Sequence, residues 1–252
     1  MTIRQGTTVS RWCSLSLLAA IAMLAAACTT LLPRQYEYDE EVNLSLDGSA
    51  TVYVNGSVPA FVALHGIDLD TQATARLDRA AVRRFFTSAV SSVTRLSVSR
   101  RNGRRFIHLR LAVSDVSQLS QAAPFSASTY AMQRRGGQYV YVQRVGAASG
   151  REVGDVGWRG NELVAFRMHL PARILYHDAP SKQVERGNIL VWEQTLADRL
   201  KGVPVHIEAR MEGQSILYSA ITLFGAMAAV VVVLFAGIIW WVVRKGRAAA
   251  TD

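Results

Sequence analysis

The chain is poor in cysteine: two in 252 residues, Cys13 and Cys28, both near the N-terminus. Beyond Cys28 there is no thiol, which excludes a disulfide framework and a thiolate metal site. Proline is also scarce, at six, and no Gly triplet period runs through the 18 glycines. That composition excludes a collagen-like or low-complexity chain. Lysine occurs only at 182, 201 and 245, so arginine makes up nearly all of the 28 basic residues. The short motifs of common chemistry are missing as well. There is no G-x-S-x-G elbow, no G-x-x-x-x-G-K loop and no H-E-x-x-H helix. His65, His108, His169, His177 and His206 are scattered without metal-ligand spacing. Asp68-Leu69-Asp70-Thr71 has a phosphotransferase-type acid pair, but Thr71 comes one position too early for that motif, and the pair reads better as the start of a helix. The expectation is a protein that is not an enzyme and needs no cofactor and no metal.

Half of the residues are hydrophobic, and the mean hydropathy of +0.15 is high for a soluble domain. The ends of the chain account for much of it. Residues 1–27 read as an export signal. Arg4 and Arg11 form the basic region, Leu15 to Leu24 the apolar stretch, and Ala25-Ala26-Ala27 the small residues before Cys28. Two processing sites compete: an ordinary A-x-A site, or a lipobox in which Cys28 takes the lipid. Lipid attachment at Cys28 is the expectation, although Ala25 stands where a lipobox usually has Leu. At the other end, residues 216–243 contain no charged side chain, and a membrane-spanning helix needs roughly 20 apolar residues. Tyr218, Trp240 and Trp241 suit the interfacial belts, and Arg244, Lys245 and Arg247 suit a cytoplasmic flank. The order is then signal peptide 1–27, extracytoplasmic domain 28–215, transmembrane helix 216–243 and a short basic cytoplasmic tail 244–252. The protein should sit in the cytoplasmic membrane with its main domain outside.

Between the ends, the patterning is that of an α+β domain: mainly antiparallel β-hairpins packed on one main helix. Tyr36 to Val58 reads as a hairpin. A three-residue loop, Asp47-Gly48-Ser49, would pair Leu46 with Ala50, Leu44 with Val52 and Val42 with Val54. Thr74 to Val90 reads as the helix, with Leu77, Ala81, Phe85 and Ala89 recurring on one side. Val93 to Ala112 is a second hairpin. Its Asn102-Gly103 turn would pair Val98 with Ile107, Leu96 with Leu109 and Arg95 with Arg110. The same register sets Arg101 opposite Arg104 and Arg100 opposite Arg105. Like charges directly across a ladder repel. Arg100, Arg101, Arg104 and Arg105 are therefore either a solvated outer face or a contact site for a phosphate or other anionic headgroup. Ser128 to Arg144 is a further hairpin, turning at Gly136-Gly137. A Gly-rich loop follows over 147–161. Then come strands at Leu163–Leu170, Ile189–Trp192 and Val203–Met211, and a short amphipathic turn at Leu196–Leu200.

The formal net charge is +9. With an envelope address, that balance favours anionic lipid or glycolipid surfaces, and the membrane, over nucleic acid. The run His169-Leu170-Pro171-Ala172-Arg173, the strand Gly187-Asn188-Ile189-Leu190-Val191-Trp192, the final strand and the apolar C-terminal segment together resemble the LppM-domain family of bacterial envelope lipoproteins. The resemblance implies an α+β domain displayed outside the cytoplasmic membrane and a role in binding a lipid or glycolipid. It implies no catalytic residues. Gly187, Asn188 and Trp192 match its G-N-x-x-x-W strand and are read as structural, a turn of positive φ and a strand anchor. The alternatives are an interaction protein of the envelope whose protein partner is unknown, and a hydrolase without a local motif.

Overall fold

The computed structural model describes residues 35–248. The segment 1–27 expected to be a signal peptide, and Cys28, lie outside the described residues. Ten strands form two sheets. The first has six strands in the order β3-β4-β2-β1-β7-β9: β1 Tyr36–Leu44, β2 Ala50–Ser57, β3 Ser91–Arg101, β4 Arg104–Val113, β7 Leu163–His169 and β9 Ile189–Thr195. The second has four in the order β5-β6-β10-β8: β5 Thr129–Arg135, β6 Gln138–Val145, β8 Ala172–His177 and β10 Val205–Ser215. All pairings are antiparallel except β1 with β7, which is parallel. The helices are α1 Val58–His65, α2 Arg79–Phe86, α3 Leu196–Leu200 and the long α4 Ile216–Ala248.

The β3–β4 hairpin has the register that its turn dictates. Asn102 and Gly103 both have positive φ, 50° and 71°, as a type I′ turn requires. Val98 pairs with Ile107, Arg100 with Arg105 and Arg101 with Arg104. Gly136 and Gly137, at 57° and 84°, make the same turn between β5 and β6.

Three expectations need correction. In the first hairpin, Leu44 pairs with Ala50 and Val42 with Val52, a slip of two residues from the three-residue loop. Slipping by two keeps every side chain on its face, so alternation could not tell the registers apart. What decides is the longer turn: Ser45 N bonds Ser49 O at 2.9 Å, and Asp47 Oδ1 accepts from Ser49 N and Oγ. The helix expected over Thr74–Val90 is only α2. Asp78 caps it by accepting from Ala81 N at 2.9 Å. Ser88 Oγ takes the N–H groups of Val90 and Ser91 and ends any continuation. Instead of one main helix there are two of eight residues each. The unforeseen one, α1, has seven residues in a row buried. It has no polar face, hence no 3.6-residue period to read. Ser57 caps it from Ala60 N at 3.1 Å, Pro59 sits in its first turn, and Gly66 closes it at φ 71°.

The interior is one cluster. Tyr38, Val42, Val52, Val54, Phe61, Phe86, Ile107, Leu111, Phe166, Tyr141 and Ile207 all belong to it, so both sheets and both short helices share a core. Phe61, Phe86, Phe125 and Tyr130 meet edge-to-face at 5.6–6.4 Å. The loop over 147–161 is tied down at both ends. Ser149 N donates to Leu64 O at 3.0 Å, and Trp158 Nε1 to Glu37 at 2.9 Å.

Strand β10 runs directly into α4, whose first amide, Ile216 N, bonds Pro171 O at 3.0 Å. Ile216–Trp241 is a candidate membrane span of 26 residues with a mean hydropathy of 2.6, and none of it is covered by the rest of the protein. At 1.5 Å per residue it reaches about 39 Å, enough for the roughly 30 Å bilayer core.

Two glycines test the packing. A Cβ on Gly146 would lie 1.5 Å from Ala127 O, whereas one on Gly103 would meet nothing within 4 Å. Gly146→Ala should cost about 3 kcal/mol or more, and Gly103→Ala only about 1–2 kcal/mol for its left-handed backbone. Denaturant unfolding of the two variants measures the order, and an equal cost would contradict the close approach at Gly146.

Candidate functional site

The four hairpin arginines lie on two faces. Because β3 and β4 pair residue for residue, Arg101 and Arg104 share one face and Arg100 and Arg105 the other. The face of Arg101 and Arg104 is answered from within. Strand β1 begins Tyr36-Glu37-Tyr38-Asp39-Glu40-Glu41, and residues 37–40 are all buried. Its odd-numbered acids point to the same side as Arg104. Glu37, 3% exposed, is 2.9 Å from Arg104 Nε, accepts from Arg104 Nη2 at 3.0 Å and also takes Trp158 Nε1. Asp39 meets Arg167 at 2.5 Å and Asn55 at 3.2 Å. Glu41 is 3.1 Å from His169. Arg101 donates to Tyr36 O and lies 4.1 Å over the Phe106 ring. These two arginines bind anionic and carbonyl oxygens of the domain itself.

The other pair lies differently. Arg100 is exposed, while Arg105 is 4% exposed. They line a surface groove of about 860 Å³ with Ala75, Arg76, Leu77, Asp78, Arg79 and Val98. The groove runs between the tip of β3–β4 and the chain entering α2. Arg105 Nη2 donates to Asp70 O and so pins the segment that forms the other wall. Its Nε and Nη1 have no acceptor. Burial pulls the Arg105 pKa down from its usual value and Arg100 lowers it further, against the effect of Asp70. Among the described residues, Arg76, Arg79 and Arg100 make no ion pair, and the one groove acid, Asp78, is engaged as the α2 cap. The volume lies within the ordinary range of ligand pockets. An apolar wall of Ala75, Leu77 and Val98 beside four guanidiniums is an amphipathic lining. Sequence reading named Arg100 and Arg105 but missed Arg76 and Arg79 as their companions, because the pairing depends on where the 68–79 segment crosses the hairpin.

A second polar cluster lies inside. Glu40, on the core face of β1, accepts from Tyr38 Oη and from Gln143 Nε2 of β6, both at 3.2 Å. Tyr141 Oη donates to Gln143 at 2.9 Å. Burial drives the Glu40 pKa up to about 7, although both hydrogen bonds and Arg199 oppose it. A cavity of about 30 Å³ separates Glu40 from His65, Ser128 and Arg199, room for a water or two. His65 Nδ1 is 2.8 Å from Pro124 O. A carbonyl only accepts, so Nδ1 carries the proton and Nε2 is an acceptor facing no donor. Burial lowers the His65 pKa to about 4. Nothing in the sequence patterning marked this cluster.

Gly187 and Asn188 have positive φ, 92° and 62°. The Asn188 side chain donates to Leu170 O at 2.7 Å and Ala172 O at 2.6 Å, bracketing Pro171. Trp192 is 3% exposed, and its Nε1 donates to Asp178 at 3.1 Å. These three hold β9 against the β7–β8 bend, away from the groove. Among the described residues no group of three His, Cys, Asp or Glu could hold a metal ion.

No protein-family model matches the chain, and no curated protein matches it. A solved structure that it resembles is the NMR structure of the folded domain of Mycobacterium tuberculosis LppM. The two are 13% identical, with a TM-score of 0.39 over 74% of this chain and 95% of that one. A likeness at that score carries no argument about function.

The Glu40 shift fixes the sign of a pH dependence. A carboxyl whose folded pKa is raised from 4.5 to about 7 leaves stability intact below the unfolded value and erodes it as pH climbs through 7. His65 acts oppositely: its stability is full above 6.5 and is lost as pH falls through about 4. Glu40→Gln removes only the first effect. Between pH 5 and pH 8 the variant should gain on the parent chain by on the order of 3 kcal/mol, measured by denaturant unfolding at each pH. A constant difference across that range would contradict a buried, proton-bearing Glu40.

Proposed function

We propose that the chain is a membrane-anchored protein of the cell envelope whose extracytoplasmic domain binds an amphipathic lipid or glycolipid. The domain precedes α4 and the basic tail stays on the cytoplasmic side, with Cys28 as a second, lipid-bearing anchor. The observation that carries the reading is the groove at the β3–β4 tip, where an apolar wall adjoins four arginines that make no ion pair among the described residues. An amphiphile with an anionic headgroup satisfies both halves at once: the guanidiniums take the headgroup, and Ala75, Leu77 and Val98 take the first part of the tail. The reading assigns a binding module and no reaction. It needs no cofactor and places no nucleic acid in the groove.

A second reading, an interaction protein of the envelope, is favoured by strand β8. It is an edge of the four-stranded sheet and exposes Leu175 and Tyr176 by 41% and 46%, and an exposed apolar edge accepts another strand.

Native mass spectrometry of the full chain from neutral detergent tests the first reading. The parent chain should carry a lipid adduct. Ala75→Trp, at a position outside the helices and strands, fills the groove and should lose the adduct with unchanged unfolding. A parent chain that is clean of lipid and instead retains a protein partner, which Leu175→Lys releases, would replace the first reading by the second.

A further inference from the structure

We infer that the Arg105 end of the groove is a phosphate site, which gives the headgroup of the proposed amphiphile its chemical class; the inference rests on that reading. Three observations carry it. Arg105 is 4% exposed, yet only Nη2 has an acceptor, the Asp70 carbonyl, and Nε and Nη1 have none. Buried donors without acceptors are rare and costly unless a ligand or water completes them. Arg100 is paired directly across the ladder from Arg105, an unfavourable placement for two like charges, and an anion between them reverses its sign. Arg76 and Arg79 line the other wall, so four arginines border one space whose single lining acid, Asp78, caps α2.

Arginines from three segments around one space favour phosphate over carboxylate. A carboxylate offers two oxygens in one plane and suits a single guanidinium edge. Arg105 can turn only one of its unpaired edges, Nε–H or Nη1–H, to a single anion, and the remaining donors come from a second strand and from the α2 segment. Tetrahedrally disposed oxygens meet donors from several directions, and a guanidinium is the side chain suited to that contact when partly desolvated. Arg101 and Arg104, one residue away on each strand, project from the other face of the hairpin, where Tyr36 O and Glu37 engage them.

Isothermal titration of the full chain in neutral detergent is the test, with three probes: inorganic phosphate, dihexanoyl phosphatidic acid and dihexanoylglycerol. Phosphatidic acid should bind best, inorganic phosphate more weakly, and dihexanoylglycerol worst. Arg105→Gln should weaken both phosphate-bearing probes by about thirtyfold, and Arg105→Lys should restore less than half of that loss on a logarithmic scale. Because Arg105 also pins Asp70, the exposed pair Arg79→Gln with Arg100→Gln provides a variant that leaves the fold alone, with an expected loss of tenfold or more. Phosphate bound only at Arg105, with no gain from the acyl chains, supports the site and removes the lipid reading. Phosphatidic acid and dihexanoylglycerol bound equally, and equally by every variant, overturn the phosphate site and leave the lipid reading standing. Phosphate binding by the parent chain that none of the variants weakens also overturns it, as does the absence of binding by any probe, which removes both readings.

Discussion

Strand β1 sets the terms for the rest of the domain. It lies inside the six-stranded sheet with residues 37–40 buried, and it brings Glu37, Asp39, Glu40 and Glu41 with it. A buried carboxylate without partners is among the most destabilising features a fold can contain. The alternation of the strand sends Glu37, Asp39 and Glu41 to one side and Glu40 to the other. On the first side Arg104 and Arg167 meet charge with charge, and the His169 ring stands 3.1 Å from Glu41. On the second side no base reaches contact. Two neutral donors, Tyr38 and Gln143, meet Glu40 instead, and its pKa rises until the proton stays on near neutrality. One strand thus uses both of the ways open to a buried acid, pairing and protonation.

That constraint also divides the arginines. Arg104 is conscripted by Glu37, 3% exposed; removing one member of such a buried pair costs about 3–5 kcal/mol, because the other is left charged and alone. Arg101 caps the same arrangement on Tyr36 O. The odd-numbered acids of β1 cannot reach Arg100 and Arg105, which project from the opposite face of the hairpin, and Glu40, on their face, lies level with Val54 and Leu109 rather than with the hairpin tip. The arginines left without an ion pair are therefore on the face that the odd-numbered acids of β1 do not neutralise.

The legibility of the sequence follows the same physics. The β3–β4 register was readable because Asn102-Gly103 admits one turn geometry, and a one-residue slip would have exposed Val98 and Ile107. The β1–β2 register was not, because a two-residue slip preserves every face and the choice lay in hydrogen bonds of Ser45, Asp47 and Ser49. The periodicity at Leu77, Ala81 and Phe85 showed where a helix lies but not its ends, which side-chain caps at Asp78 and Ser88 determine. Helix α1 was hidden by being apolar all round. Opposed arginines were visible in the hairpin, but not which pair is free. That needed the acids of β1, separated from Arg104 by 67 residues, and the path of the 68–79 segment. The run Glu37-Tyr38-Asp39-Glu40-Glu41 was the available signal: acids at every other position of a strand that must pair on both edges demand bases on a neighbour.

The near-absence of lysine fits both uses of positive charge. At Arg104, Arg167 and Arg199 the cation is inside the protein, where a compact, strongly hydrated ammonium would lose more solvation than a guanidinium and offer fewer directed donors. At Arg105 the same property has the opposite outcome. A guanidinium can be buried with one nitrogen committed to a carbonyl and still keep two more unpaired. A lysine there would spend its charge on Asp70 or retreat to solvent. Arginine therefore serves as internal counter-ion wherever an acid of β1 reaches it, and at Arg105 it is buried beyond their reach with Nε and Nη1 left unpaired.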